Sequence, residues 1–255
     1  MDPDVAIALR LNSDDIDLYA TTAAFASDLA PEESLRHFPR CQIWDATGVK
    51  IVYISTACST SRCLSADFAA RMSYAAARTA VRMASPHTTV VIVPIFHRQA
   101  TDDPNTATDG HWSLLVRSPI AAAGNVIAWK HYDSIGFNSD KNWTAQRVLC
   151  RLLHDRDDAD NCIDGCQKTI PVVTVALTNR IVQQDVWECG YYVCVIIDHI
   201  LTQCAITEMA YTNVANLTRT LAAYDDWACE YVLVNEVLRR ARRKNTLAVE
   251  HPNVK

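Results

Sequence analysis

Cysteine, histidine and aspartate are the parts of an activated thiol nucleophile, and this chain carries all three in settings that would hold them rigidly. His111 opens the alternating stretch HWSLLV directly after the polar run Asp102–Gly110, so it sits where a loop meets a strand. In the next apolar stretch, WKHYDS, His131 and Asp133 are two residues apart and therefore share one face of a strand. Cys189 lies between a polar turn and the apolar run that follows it in VQQDVWECGYYVCVIIDH, which puts it at the start of a helix. Helix N-termini favour a thiolate, and an adjacent imidazole adds to that preference. His199 is not that imidazole, because ten residues of helix are about 15 Å of rise and some 80° short of whole turns. The base must come from elsewhere in the chain.

Singly, each of these residues also has a plain structural reading. A lone buried cysteine usually packs, and a strand histidine is usually a surface or satisfied core residue. Cys162 and Cys166 with His154 form only a Cys-x3-Cys without a second pair, a weak zinc pattern. Asn142 and Asn216 head N-x-T sequons, which matter only in a secreted chain.

Positioning such groups requires both strands and helices, and the residue pattern supplies both. Helices are expected at Ser13–Leu29, where a Ser-Asp-Asp cluster can cap the start, at Ala-rich Ser65–Met83, at Thr144–His154, from near Cys189, and at Asp225–Arg243. Strands are expected at Val49–Ser55, Thr89–Phe96, His111–Val116, Asn125–Tyr132 and Ile170–Leu177, each rich in Val, Ile or aromatics. This interleaving reads as a single α+β domain over 1–244, with 245–255 as a mobile tail.

Composition narrows the function classes. Of 255 residues, 49% are hydrophobic and 21% charged, with 6 Gly and 9 Pro, which excludes a disordered or fibrous chain. The longest apolar runs, Thr89–Phe96 and Tyr191–Ile197, fall well short of the roughly 18 residues of a spanning helix. Asp2 and Asp4 stand where a secretory signal would be basic. An intracellular protein, cytoplasmic or nuclear, is therefore expected, its 10 cysteines mostly free buried thiols. With 24 Lys and Arg against 29 Asp and Glu the net charge is −5, which argues against extended nucleic-acid binding. The basic run Arg239–Lys244 ends a helical stretch, where positive charge complements the helix dipole. No cofactor, metal, membrane or nucleic-acid partner is expected, and the chain is expected to be a monomer.

The order HWSLLV, then HYDS, then QQ-x4-CG resembles the ubiquitin-like-protein-specific (Ulp/sentrin-specific) cysteine proteases, most closely their deneddylase branch. The segment LNSDDIDLY at Leu11–Tyr19 resembles that family's N-terminal helix start, and the likeness runs from about Leu11 to His199. The resemblance implies a papain-like fold of the adenain/Ulp type, with a central mixed sheet flanked by helices. It also implies roles: His111 as general base, Asp133 as its orienting partner, Cys189 as nucleophile and Gln183 as side-chain donor of the oxyanion hole. Trp112 matches the family tryptophan that covers the narrow channel for a Gly-Gly tail. Asn12, Ser13 and Asp14 fall where the family contacts its modifier, and Gly190 suits a tight helix start beside the nucleophile.

The chain departs from the family at some of these positions. Arg10 stands where the family has tryptophan, Ser13 where it has aspartate, and Trp187-Glu188 precede Cys189 in place of Tyr-Asp. The implied activity is cleavage after the C-terminal Gly-Gly of a ubiquitin-like modifier, with the neddylation modifier expected ahead of SUMO. An acetyltransferase with a similar triad order and a silent modifier-binding module are the alternatives.

Overall fold

The computed structural model describes residues 11–30, 41–46, 49–56, 68–98, 110–118, 129–135, 139–153, 172–175 and 189–206. In chain order these form α1 (Ser13–Ala26), β1 (Cys41–Ala46), β2 (Val49–Ile54), α2 (Phe68–Met83), β3 (Thr89–Arg98), β4 (Gly110–Arg117), β5 (Trp129–Tyr132), α3 (Ser139–Leu153), β6 (Val172–Val175) and α4 (Cys189–Ile206). The six strands form one sheet in sequence order. The β1–β2, β3–β4 and β4–β5 pairs are antiparallel, while β2–β3 and β5–β6 are parallel. Each parallel pair is bridged by a crossover helix, α2 and α3 respectively, as parallel neighbours require.

Alternation along the strands splits the core into two layers. Val49, Ile51, Tyr53, Val90, Ile92, Leu114, Val116 and Tyr132 pack with α1 and α4. Val52, Ile54, Val91, Val93, Ile95, Leu115 and Trp129 pack with Ala77 and Val81 of α2 and with Val148, Leu149 and Leu152 of α3. A sheet buried on both faces explains why its central strands read as nearly continuous apolar runs. Pro94 is tolerated within β3 because the ladder to β2 stops at Ile92, two residues earlier. The expected α+β architecture, a mixed sheet flanked by helices, is the one observed.

Several element boundaries differ from the sequence expectation. The first helix ends at Ala26 rather than Leu29, because Asp28 takes a left-handed conformation (φ 58°) and the Leu29 N–H turns back to the Ala24 carbonyl. Its cap is Asn12, one residue ahead of the Ser-Asp-Asp cluster. Strand β1 was not expected: Gln42 and Trp44 point inward and Ile43 outward, so its polarity gives no strand signal. Helix α3 begins at Ser139, five residues before the expected Thr144. The expected helix at Asp225–Arg243, the run Arg239–Lys244, the outer ends of three expected elements (65–67, 125–128 and 170–171 with 176–177) and the tail from 245 lie outside the described residues. Among the described residues no helix is long and apolar enough to cross a membrane.

Candidate active site

Gly110 and His111 open β4, Asp133 follows β5 directly, and Cys189 is the first residue of α4. By alternation His111, Ser113 and Leu115 share a face, as do His131 and Asp133 across the ladder. That face looks toward α2 and α3, whereas α4 covers the opposite one. A group at the helix start can meet His111 only at the strand end, and this is where His111 stands.

Nε2 of His111 is 2.7 Å from Oδ1 of Asp133, with both residues buried at 6% and 1% exposure. The same Asp133 oxygen accepts the Ile135 backbone N–H at 3.0 Å, a local turn that fixes the carboxylate just past the end of β5. Cys189 acts on the same ring, its side chain raising the His111 pKa alongside Asp133. With Nε2 committed to Asp133, Nδ1 is the ring atom left for the sulfur. Burial works to lower the His111 pKa, but the hydrogen bonds to Asp133 and Cys189 and their charges outweigh it, so the net shift is upward from 6.5. The neutral ring can take a proton from a thiol, the carboxylate then stabilises the imidazolium that results, and the imidazolium can return the proton to a leaving group.

Cys189 is itself buried, and Trp112 is packed in the same core layer. The Trp112 indole N–H donates to the Leu11 carbonyl at 3.0 Å, and its ring lies 4.7 Å from that of Phe96. Leu11 also touches Gly190, where an added Cβ would stand 3.0 Å from the Leu11 Cβ. The start of α1 is thus pinned against the helix that carries Cys189. Gly110 has a similar constraint, since a Cβ there would run into the Phe96 ring.

Of the eight site residues expected from sequence, His111, Asp133 and Cys189 come together. Trp112 lies beside them, joined through Leu11 to the segment that carries Asn12, Ser13 and Asp14. Asn12 is a helix cap whose side chain accepts the Asp15 N–H at 3.0 Å, while the Asp15 carboxylate accepts the Asn12 N–H. Ser13 and Asp14 lie in the first turn of α1, and the Ser13 carbonyl oxygen lies 3.2 Å from the Thr56 hydroxyl oxygen. Gln183, Arg10, Trp187, Glu188, His154, Cys162 and Cys166 lie outside the described residues. Among the described residues no cluster could hold a metal ion, and Cys41, Cys150, Cys189, Cys194 and Cys204 are free thiols.

Two buried polar groups near the site drew no attention in the sequence, His97 and Ser113. His97 is the register partner of His111, with ring centres 5.9 Å apart. A histidine closing the run VPIFHR next to the HWS strand was the available signal.

No family model and no curated protein matches the sequence. Among solved structures, the crystal structure of a de-sumoylating protease is similar to this chain with a TM-score of 0.48 and 12% identity, over 95% of this chain and 85% of that one.

Proposed function

We propose that this chain is a thiol peptidase that cleaves after the C-terminal Gly-Gly of a ubiquitin-like modifier, acting on modifier precursors, conjugates or both. The observation that carries the reading is the His111–Asp133 hydrogen bond at 2.7 Å, on a ring whose pKa the Cys189 side chain also raises. The ordered HWSLLV, HYDS and QQ-x4-CG strings support the family, and their match to the deneddylase branch supports the neddylation modifier as preferred substrate.

In this mechanism Nδ1 of His111 takes the Cys189 thiol proton and the sulfur attacks the carbonyl carbon of the terminal glycine. The tetrahedral oxyanion is held by the Cys189 backbone N–H, which has no partner within the first turn of a helix, and by the Gln183 amide. Collapse breaks the C–N bond, and His111 gives its proton to the leaving amine. Water, deprotonated by His111, then hydrolyses the thioester and frees the modifier carboxylate and the Cys189 thiol. Asp133 holds the ring orientation and stabilises the imidazolium throughout. The site needs no cofactor for this chemistry, and the proposed setting is the cytoplasm or nucleus.

Vinyl-sulfone or propargyl probes of the neddylation modifier, SUMO and ubiquitin test the proposal, with Cys189→Ala as control. The expected result is a covalent adduct with the neddylation-modifier probe that Cys189→Ala abolishes. Labelling by SUMO alone would keep the peptidase and change its substrate. Labelling that survives Cys189→Ala, or no labelling by any probe, would overturn the reading.

A further inference from the structure

A single hydroxyl on β4 links three strands immediately behind the site. Ser113 Oγ is 2.5 Å from Nε2 of His97 on β3 and 2.9 Å from Nε2 of His131 on β5. All three residues are buried, Ser113 and His131 at 1% exposure. A hydroxyl with one proton and two lone pairs can satisfy both rings at once. The bridge lies one pleat repeat from the site: Ser113 is two residues after His111, and His131 is two residues before Asp133.

Strand β5 has only four residues, and its ladder to β4 ends at Tyr132 opposite Leu114, one residue before Asp133. Its reach to His111 depends on how closely the end of β5 lies against β4. The hydrogen bond between His131 and Ser113 crosses from β5 to β4 two residues before Asp133, and His97 braces Ser113 from the opposite strand.

We propose that Ser113 is a positioning residue: by bridging His97 and His131 it holds the end of β5 at the distance from β4 at which Asp133 reaches Nε2 of His111. The proposal rests on the thiol-peptidase reading for its consequence, but its test needs no substrate. Imidazole ¹H–¹⁵N spectra of the full chain give the His111 titration midpoint, the resonance being assigned by its loss in His111→Gln. A merely structural hydroxyl would change stability and leave that midpoint alone.

In Ser113→Ala the midpoint is expected to fall by about one pH unit, because the Asp133 bond that raises it is loosened while the opposing burial remains. Iodoacetamide alkylation of Cys189, read by peptide mass, should slow by up to about tenfold, the equivalent of one pH unit in the imidazole that stabilises the thiolate. His97→Leu should move both readouts the same way, and His97→Gln, whose amide can still reach Ser113, should restore them. A folded Ser113→Ala with the wild-type midpoint overturns the proposal. If Ser113→Ala does not fold, the His97 pair decides: equal midpoints in His97→Leu and His97→Gln overturn it, and a fall confined to His97→Leu supports it. If Cys189 alkylates no faster in the wild type than in His111→Gln, the peptidase reading fails, while the titration still judges the bridge.

Discussion

His111 faces two partners of opposite use: a carboxylate that holds it and a sulfur it can deprotonate. Its raised pKa makes the pair a source of stability with a defined pH window. A histidine whose folded pKa lies above its unfolded 6.5 contributes stability that is fully present below 6.5 and lost as pH rises through the folded value. Asp133→Asn should therefore destabilise the fold by about 2 kcal/mol at pH 6 and by clearly less at pH 9. Urea unfolding at the two pH values checks this, and an equal loss at both would show that Asp133 acts on stability through something other than the charged imidazole. His111, Asp133 and Cys189 were legible in the sequence singly, because alternation and helix-start patterns are local, while their grouping as a set rested on the resemblance of the ordered HWSLLV, HYDS and QQ-x4-CG strings. His97 and Ser113 were not, because a serine between two histidines acquires meaning only when three strands are laid side by side.

Helix α1 shows how an element can be read correctly while its internal chemistry stays hidden. Asp17 was unremarkable in sequence, yet it is buried and accepts hydrogen bonds from Tyr53 Oη and Ser55 Oγ at 2.7 Å, the Thr56 N–H at 3.0 Å and Thr56 Oγ1 at 2.9 Å. Burial raises its pKa from 3.8 against the lowering effect of those hydrogen bonds. A carboxyl with a raised folded pKa contributes its stability below the unfolded value and loses it as pH rises through the folded one. Once ionised the group therefore carries a cost, and its worth lies in the hydroxyls and N–H it satisfies. Asp17→Ala, which leaves those groups unpaired, should cost about 3 kcal/mol or more, and Asp17→Asn markedly less, since an amide is neutral and fills the same space. Urea unfolding at pH 7 checks the order, and equal losses would contradict it. Asn12→Ala should cost about 1 kcal/mol through loss of the capping box. Strand β1 was missed for a related reason: its inward Gln42 is stabilised by a hydrogen bond to Thr21 of α1 at 2.9 Å, a tertiary contact with no trace in the hydropathy pattern.

At the scale of the molecule, the site is a meeting of the sheet with one helix that arrives late in the chain. Stability and site geometry should then be separable, because α4 is anchored in two places. Leu201, fully buried, lies twelve residues from Cys189, about 18 Å along the helix, and packs in the layer shared with α1. The first turn is held instead by Leu11 against Gly190 and by the Trp112 indole on the Leu11 carbonyl. Leu201→Ala opens a cavity far from the sulfur and should lower unfolding free energy by about 2–5 kcal/mol. Among molecules that remain folded, Cys189 alkylation should stay within about twofold of wild type, since distant sites with no shared partners act independently. Trp112→Phe should do the reverse: it keeps most of the apolar volume but removes the indole N–H that ties the start of α1 to β4. Its stability loss should be about 1 kcal/mol, the worth of one hydrogen bond, with alkylation of Cys189 changed more than in Leu201→Ala. Urea unfolding and peptide-mapped alkylation on both variants check the crossover. If Leu201→Ala disturbs the thiol as much as Trp112→Phe does, α4 moves as one rigid body and its two anchors are not independent.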